Sequence, residues 1–488
     1  MNYRMISYIV GQIIRVEGIL MLLPLACTLI YGDGNYLAFL LPILGALLVG
    51  TLLTLKKPKN SSIYAKEGFV TVGLSWLILS LIGALPFVIG GEIPSYVDAF
   101  FETVSGFTTS GGSILSGEAL DRLSHGILFW RSFTHWIGGM GVLVFVMALL
   151  PSADTRQVKL MHVMRAEVPG PKVGKLVSKI SRTARIMYGL YVALTAIEVI
   201  FLVAGGMPFF DSLLNSFGTA GTGGFSISSA GIAGYQSAYI EYVIGVFMML
   251  FGVNFNLFYL MVLGHFGEAM KSEELHWYIG IIALATGLFT FDLLRNAIYP
   301  TFGEAVRYSF FQVSTLVTTT GYATADFNLW PPLSQAIICM LLFCGGCVGS
   351  TAGGFKIGRL LLLVKTGFRE IKYMLHPRAV IPVRSERKSV EPEVVRGASS
   401  YLIVFIMLFS ASFFLIQLLD GPDLITGFTS VAACLNNVGP GLGKVGPMGN
   451  YGFYSVASKL ILSFDMLAGR LEIFPLIMLF APSTWKNN

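Results

Sequence analysis

Charged side chains are scarce in this chain of 488 residues, of which Asp, Glu, Lys and Arg make up only 12%. A water-soluble domain carries about 25% charged residues. Hydrophobic residues make up 54% and aromatic residues 13%, so the sequence has too few charges to cover a soluble protein of this size. The composition therefore predicts an integral membrane protein in contact with a lipid bilayer.

Cysteine is also rare, and the net charge is small. The five cysteines are an odd number and lie in or beside apolar stretches, which predicts no disulfide framework. The formal net charge of +6 is too small to indicate nucleic-acid binding. An intramembrane enzyme would need a convergent nucleophile and base or a set of metal ligands, and the sequence offers no such group.

Apolar runs long enough to cross a membrane as helices recur along the whole chain. A helix crosses the hydrocarbon layer with about 20 residues. We expect ten crossings, at 9–31, 36–55, 69–91, 126–150, 183–205, 238–264, 277–299, 332–364, 397–419 and 453–481.

Basic residues are concentrated in alternate connecting segments. Segments 151–182 and 365–396 hold seven and eight Lys and Arg residues, whereas the four segments on the opposite side hold only Arg122, Arg307 and Lys444. Because basic loops stay in the cytoplasm, both termini are predicted to be cytoplasmic. The two basic segments are candidates for docking a cytosolic partner or for contact with anionic lipid.

Each of the four outer segments contains an apolar stretch too short to span, followed by small and hydroxyl-bearing residues around a glycine. We expect half-helices at 96–107, 209–219, 303–317 and 424–435, each followed by one of the glycines Gly111, Gly223, Gly321 and Gly439. The pattern predicts an all-α fold of four pseudo-repeated units, each a helix, a re-entrant pore loop and a helix, around a central pore. The predicted units are an N-terminal helix pair at 1–67 and repeats at 68–150, 151–275, 276–396 and 397–488.

Four re-entrant loops meeting on one axis have the chemistry of a cation filter. Irregular backbone is tolerated at membrane depth only where it is buried in protein or lines a cavity. A ring of carbonyl oxygens can replace the water shell of potassium, and glycine allows the positive φ values that such a loop needs. The half-helices direct the partial negative charge of their C-termini toward the same axis, which favours cations.

The eighth predicted span is too long for one crossing and contains five glycines between Cys344 and Gly354. Each glycine costs a helix about 1 kcal/mol, so this stretch is expected to unwind just below the filter and to obstruct the conduit. Arg470 lies within the last span, where a charge usually faces a cavity or a partner. It could donate hydrogen bonds to the freed carbonyls, hold back cations, or pair with Asp465. Lys356 and Arg359, just after the break, are expected at the inner surface.

The motifs around these glycines are specific. They are Ser105-Gly106-Phe107-Thr108-Thr109-Ser110-Gly111, Thr222-Gly223-Gly224-Phe225-Ser226, Thr318-Thr319-Thr320-Gly321-Tyr322, Asn436-Asn437-Val438-Gly439-Pro440-Gly441, Gly345-Gly346-Cys347-Val348-Gly349-Ser350-Thr351-Ala352-Gly353-Gly354-Phe355-Lys356 and Ala468-Gly469-Arg470-Leu471-Glu472. Over essentially its whole length the chain resembles the membrane subunit of Trk/Ktr-type potassium uptake systems. It is most similar to the bacterial TrkH type, which has the additional N-terminal helix pair.

The resemblance implies the residues of the potassium site. Backbone carbonyls of the two residues before each glycine would bind the ion, and the implied filter residues are Thr109, Ser110, Gly111, Gly221, Thr222, Gly223, Thr319, Thr320, Gly321, Asn437, Val438 and Gly439. The expected gate comprises Gly345, Gly346, Gly349, Ser350, Thr351, Gly353, Gly354 and Arg470. Potassium is the only metal implied, and no cofactor is expected on this chain. The sequence departs mildly from the pattern, with Ser110 where threonine is commoner and Gly112 after the first filter glycine.

The resemblance also implies partners and a location. Such subunits are homodimers docked on a cytosolic ring of nucleotide-binding subunits, in the cytoplasmic membrane of a prokaryote. The implied function is potassium uptake, gated by the intramembrane break of the third repeat. The alternative is a sodium- or proton-coupled secondary transporter of another small solute, because broken helices also occur in such proteins. No residue pattern indicates whether protons or sodium are coupled to uptake.

Overall fold

The fold is almost entirely helical. The computed structural model describes residues 1–58, 64–141, 180–379, 381–386 and 388–485. Their α-helices are α1 (Tyr3–Leu20), α2 (Leu22–Tyr31), α3 (Leu37–Thr54), α4 (Ala65–Gly83), α5 (Leu85–Ile89), α6 (Tyr96–Phe107), α7 (Glu118–Asp121), α8 (His125–Gly139), α9 (Ile180–Ala204), α10 (Phe209–Gly221), α11 (Ala238–Phe251), α12 (Phe255–Val262), α13 (Phe266–Ala269), α14 (Glu273–Arg295), α15 (Phe302–Val317), α16 (Pro332–Leu341), α17 (Ile357–Leu375), α18 (Pro392–Leu419), α19 (Leu424–Leu435), α20 (Val456–Arg470), α21 (Phe474–Phe480) and α22 (Pro482–Trp485). Three short 3₁₀ helices lie at Ile232–Tyr235, Phe327–Leu329 and Gly443–Val445, and strands β1 (Arg384–Ser385) and β2 (Lys388–Ser389) form an antiparallel hairpin.

Six helical spans among the described residues are long and apolar enough to cross a membrane. They are Tyr3–Tyr31, Leu37–Thr54, Lys66–Ile89, Arg185–Ala204, Glu273–Arg295 and Pro392–Leu419, with a seventh if α11 and α12, which bend by 92°, count as one. All seven lie where the sequence predicts a span. The predicted spans 332–364 and 453–481 are interrupted helices, and residues 142–150 of the span 126–150 lie outside the described residues. Ten crossings thus stay a prediction.

Lipid rather than water suits the outside of these helices. Met407, Phe414 and Leu418 on α18 are 66%, 69% and 79% exposed. Burying apolar surface away from water is worth about 25 cal/mol per Å², so contiguous exposure of this kind marks a surface that another apolar phase covers. The chain is a multi-pass membrane protein.

The four expected half-helices are present, each packed between two other helices. They are α6, α10, α15 and α19, and their neighbours are α4 and α8, α9 and α11, α14 and α16, and α18 and α20. The first three also pack against a further helix, α6 against α20, α10 against α8 and α15 against α11. Three of the four half-helices are therefore packed among at least three other helices each, the kind of surrounding in which irregular backbone is tolerated at membrane depth.

Three of the four half-helices begin at ordinary capping signals, and α10 begins after Pro208 without a side-chain cap. Ser95, Thr301 and Asp423 accept hydrogen bonds from backbone N–H groups three residues further on, with distances of 3.4, 3.2 and 3.0 Å. Such caps satisfy N–H groups that the first helical turn leaves unpaired. At Asp423 the hydrogen bonds from Thr426 lower the pKa of the carboxyl group, so the cap stays ionised. The carboxylate is then also attracted to the positive end of the helix dipole.

Candidate cation filter and gate

The four loops that follow the half-helices share one backbone conformation. We call them loop 1 (residues 108–112), loop 2 (221–225), loop 3 (318–322) and loop 4 (436–440). In each loop a residue with a side chain takes a left-handed conformation, and these residues are Thr109, Thr222, Thr319 and Asn437, with φ values of 55°, 56°, 56° and 54°. Two residues later a glycine also has positive φ, at Gly111, Gly224, Gly321 and Gly439, with values of 77°, 67°, 89° and 90°.

The residue between these two positions points its amide back to the half-helix. In every loop this N–H donates to the carbonyl five residues earlier, in the pairs Ser110 to Ser105, Gly223 to Gly218, Thr320 to Thr315 and Val438 to Ala433, at 2.9, 2.9, 2.8 and 2.9 Å. The four loops are therefore structurally equivalent residue by residue.

This equivalence corrects the predicted alignment of loop 2. The sequence comparison paired Gly223 with Gly111, whereas the structure pairs Gly224 with Gly111 and Gly223 with Ser110. The predicted pairing is wrong by one residue, and Gly221 is the counterpart of Thr108. Gly221, Gly223 and Gly224 lie within four positions, so local composition could not tell which glycine takes the left-handed conformation.

The loops contact one another in a closed ring. A Cβ atom added to each left-handed glycine would lie closer than 3.0 Å to a backbone carbonyl oxygen of the next loop. Gly111 faces the oxygen of Gly223, Gly224 that of Thr320, Gly321 that of Val438, and Gly439 that of Ser110. The order of contact is loop 1 to 2, 2 to 3, 3 to 4 and 4 back to 1. We call this arrangement the loop ring.

The four left-handed residues with side chains are strained, and two of them are held in place by side-chain hydrogen bonds to other segments. A β-branched residue at positive φ is an outlier, and such strain costs about 1–3 kcal/mol per residue. Thr319 Oγ1 accepts a hydrogen bond from the Gly353 amide (2.7 Å), and Asn437 Nδ2 donates to the Met466 carbonyl (2.9 Å). Strain retained in this way is typical of a functional site.

Several polar atoms of the loop ring are buried without a partner. The hydroxyl oxygens of Thr109 and Ser110 have no hydrogen-bond partner, although both residues are 0% exposed. Buried polar atoms are normally satisfied, so oxygens left in this state suit a site that receives a cation. Among the described residues there is no group of three or more His, Cys, Asp or Glu side chains that could hold a metal.

One buried charge beside the loop ring was missed by the sequence reasoning. Arg131 on α8 forms an ion pair with Glu102 on α6 at 2.6 Å, and the two side chains are 2% and 0% exposed. Arg131 also donates to the Ser226 carbonyl just after loop 2 (2.6 Å). The signal was present, because Arg131 is a charge inside a predicted span, the same criterion that singled out Arg470.

The predicted break of the eighth span is present. Residues 342–356 between α16 and α17 are non-helical, and we call them the interruption loop. The predicted gate residues of the break all lie in this loop, and they are Gly345, Gly346, Gly349, Ser350, Thr351, Gly353 and Gly354. Gly353 contacts two members of the loop ring, since its amide donates to Thr319 and an added Cβ would lie 2.8 Å from the Cβ of Asn437.

The interruption loop pairs its backbone with a second interruption, between α11 and α12. The Cys347 amide donates to the Gly252 carbonyl (2.9 Å), and the Phe255 amide donates to the Gly349 carbonyl (3.1 Å). Glu274 at the start of α14 links the loop to the beginning of α17, accepting hydrogen bonds from the amides of Val348 in the loop (2.7 Å) and Gly358 in α17 (2.9 Å).

Arg470, the last residue of α20, reaches three backbone carbonyls. Its Nη1 donates to Thr351 in the interruption loop (2.8 Å), and its Nη2 donates to Gly138 (2.5 Å) and Gly139 (2.6 Å) at the end of α8. Of the three roles open for Arg470, donation to freed carbonyls is the one that these contacts match. The Asp465 carboxylate accepts a hydrogen bond from Ser412 at 2.7 Å.

Lys356 and Arg359 do not lie at an exposed inner surface, and that prediction is wrong. Lys356 is buried and donates to the Ala352 carbonyl within the interruption loop. Arg359 pairs with Glu472 and lies over the ring of Tyr401 at 4.3 Å. Both charges therefore have partners inside the protein, Lys356 within the interruption loop and Arg359 on the segment after α20.

The chain is similar to known transport proteins over its full length. The family model TrkH, described as a cation transport protein, matches residues 38–271 and 297–487. The Trk system potassium uptake protein TrkH of Salmonella typhimurium is 36% identical over 492 residues, and that of Halomonas elongata is 33% identical over 494 residues, each covering 100% of both chains. The crystal structure of the potassium transporter TrkH from Vibrio parahaemolyticus superposes with a TM-score of 0.89 at 32% identity and 100% coverage of both chains. The chain therefore belongs to the TrkH family of cation transport proteins.

Proposed function

We propose that this protein takes up potassium ions across the membrane and that the ions pass through the loop ring. Relatives that cover the whole chain are named potassium uptake proteins and are not enzymes. The observation that supports the path is the closed cycle of contacts between four equivalent loops.

The proposed ligands are backbone carbonyl oxygens. With the corrected alignment they belong to the two residues before each left-handed glycine, namely Thr109 and Ser110, Thr222 and Gly223, Thr319 and Thr320, and Asn437 and Val438. Carbonyls in such a ring replace the hydration shell of potassium. The C-termini of the four half-helices add partial negative charge. The membrane potential drives entry with about 2.3 kcal/mol per charge per 100 mV.

The interruption loop and Arg470 are the proposed gate. Gly353 touches two residues of the loop ring, and Arg470 donates to Thr351 of the same loop. A positive charge next to the exit of a cation path also raises the energy of an ion there. Displacement of the loop would break the Arg470–Thr351 hydrogen bond and remove the steric obstacle below the loop ring.

The resemblance also supports a proposal for the arrangement of the repeats in the membrane and for the partners of the protein. The four repeats at 68–150, 151–275, 276–396 and 397–488 would surround the pore after the helix pair at 1–67, with both termini in the cytoplasm of a prokaryote. A homodimer would dock through its basic segments on a cytosolic nucleotide-binding regulatory subunit. Of these segments, 365–396 is described except for residues 380 and 387, whereas most of 151–182 lies outside the described residues.

Rubidium uptake by cells deficient in potassium uptake tests the proposal. The wild type should restore uptake, and Gly224→Ser should abolish it, because Gly224 has positive φ and its Cβ would collide with the Thr320 carbonyl. Gly287→Ser is the matched control, since an added Cβ there meets nothing within 4 Å. Absence of uptake by the wild type, with or without a regulatory subunit, would refute the proposal.

A further inference from the structure

His135 on α8 lies directly behind loop 2. The residue is 0% exposed. Its Nδ1 lies 2.8 Å from the Gly106 carbonyl oxygen, and its Nε2 lies 3.3 Å from the Phe225 amide nitrogen. A carbonyl only accepts and a backbone amide only donates, so Nδ1 carries the hydrogen and Nε2 accepts. The neutral imidazole in this single tautomer makes both bonds and joins half-helix α6 to loop 2.

The imidazole also explains why residue 223 is glycine. Gly223 is not left-handed, unlike the four glycines of the loop ring. A Cβ at Gly223 would nevertheless lie closer than 3.0 Å to three ring atoms of His135, namely Nδ1, Cγ and Cε1. The requirement for glycine at this position therefore comes from the neighbouring ring and not from the backbone conformation.

Phe225, which follows the left-handed Gly224, is held between two residues of α8. Its ring centroid is 4.2 Å from that of His135, and the Arg131 guanidinium carbon lies 3.8 Å from it on a cation–π contact. Arg131 and His135 are four residues apart and so lie on the same face of the helix. This face of α8 fixes loop 2 on both sides of its left-handed glycine.

Other loops are held by different groups. In loop 4 the Tyr451 hydroxyl donates to the Gly439 carbonyl (2.7 Å), and in loop 3 the Tyr322 hydroxyl donates to the Asn215 carbonyl (3.0 Å). The carbonyl of Gly223 lies against Gly111 of loop 1. A change behind loop 2 therefore reaches a proposed potassium ligand directly.

We propose that His135 sets the ion selectivity of the filter by fixing the position of the Gly223 carbonyl. The inference rests on the proposed potassium path and assigns His135 as a positioning residue that touches no ion. Selectivity depends on the size of the carbonyl cage or on the field and number of its carbonyls. In either case, if loop 2 could move inward, its carbonyls could adapt to the smaller sodium ion. The imidazole prevents that movement because it holds the Phe225 amide.

The test compares rubidium and sodium uptake by proteoliposomes containing the full chain. His135→Ala should keep rubidium flux but raise sodium uptake relative to rubidium by about three- to tenfold, the factor that one neutral hydrogen bond is worth. The shorter side chain of His135→Asn can place its amide donor near the Nδ1 position for Gly106 but has no acceptor at the Nε2 position for the Phe225 amide, so this variant should show the same change. His265→Ala is the control, because the side chain of His265 is 56% exposed. An unchanged ratio in either His135 variant that inserts would overturn the proposal, as would failure of both variants to insert.

A double mutant tests the steric part of the inference separately. Gly223→Ala alone should abolish rubidium uptake, and adding His135→Ala should restore part of it, because the colliding ring is gone. No restoration would contradict the role of the ring. If the wild type itself takes up no rubidium, the proposed function fails; if it does and the His135 variants keep their sodium-to-rubidium ratio, only the inference on His135 fails.

Discussion

Replacement of Arg470 by alanine is expected to raise ion flux through the closed protein. The guanidinium makes three hydrogen bonds to backbone carbonyls, one to the interruption loop at Thr351 and two to the end of α8. Alanine makes none of them. The variant also removes the positive charge next to the proposed path, so both effects act in the direction of opening.

The size of the expected rise in flux follows from the hydrogen bond to Thr351, because this is the one of the three Arg470 bonds that reaches the interruption loop. A hydrogen bond from a charged donor is worth about 1.5–3 kcal/mol. Since 1.4 kcal/mol is a factor of ten, the ratio of open to closed protein should rise by about tenfold to a hundredfold. Arg470→Lys keeps the charge but loses the planar fork that spans several carbonyls. Intermediate flux in this variant would assign the effect to hydrogen bonding, and wild-type flux would assign it to charge.

The assay is rubidium uptake by proteoliposomes of the purified chain without a regulatory subunit. Arg122→Ala is the control, because Arg122 pairs with Glu118 on the protein surface and the two side chains are 78% and 85% exposed. Unchanged flux in Arg470→Ala, or an equal rise in the control, would refute the reasoning.

Three further predictions concern the loop ring and its supports. Gly439→Ala should lose rubidium uptake, because φ is 90° and the new Cβ would lie 2.6 Å from a carbonyl oxygen of loop 1; normal uptake would contradict the ring. Glu274→Ala should raise flux without a regulatory subunit by about tenfold, since its carboxylate accepts one backbone hydrogen bond from the interruption loop and one from the first turn of α17, whereas Glu274→Gln, which still accepts, should stay near wild type. Arg131→Met should lower the free energy of unfolding by about 3–5 kcal/mol, because Glu102 stays buried without its cation. Thermal unfolding in detergent checks this last prediction, and adding Glu102→Gln should recover part of the loss.

The half-helices and the break could be predicted because their signals are local. α6 and α19 have the bounds that the sequence predicts, 96–107 and 424–435. An apolar stretch too short to span, ended by glycine and hydroxyl residues, suffices to mark such an element. The five glycines of 344–354 marked the interruption loop in the same way.

The alignment of loop 2 could not be predicted because it depends on contacts far apart in the sequence. Gly223 is glycine because of His135, 88 residues earlier, and Gly224 because of the Thr320 carbonyl in another loop. The inward position of Arg359 likewise depends on its pairing with Glu472, 113 residues further on. No local pattern contains that information.

The hydrogen bonds between the two helix interruptions have a consequence for the entry of water into the proposed conduit. The amides of Cys347 and Phe255 and the carbonyls of Gly252 and Gly349 use each other as partners. If the interruption loop swings outward in the proposed gating, these groups lose their partners, and each backbone group left unpaired in a dry membrane interior costs several kcal/mol. Water is the replacement partner that a hydrocarbon interior lacks, so the swing and the entry of water have to occur as one event. The rate of opening should therefore respond to osmotic stress.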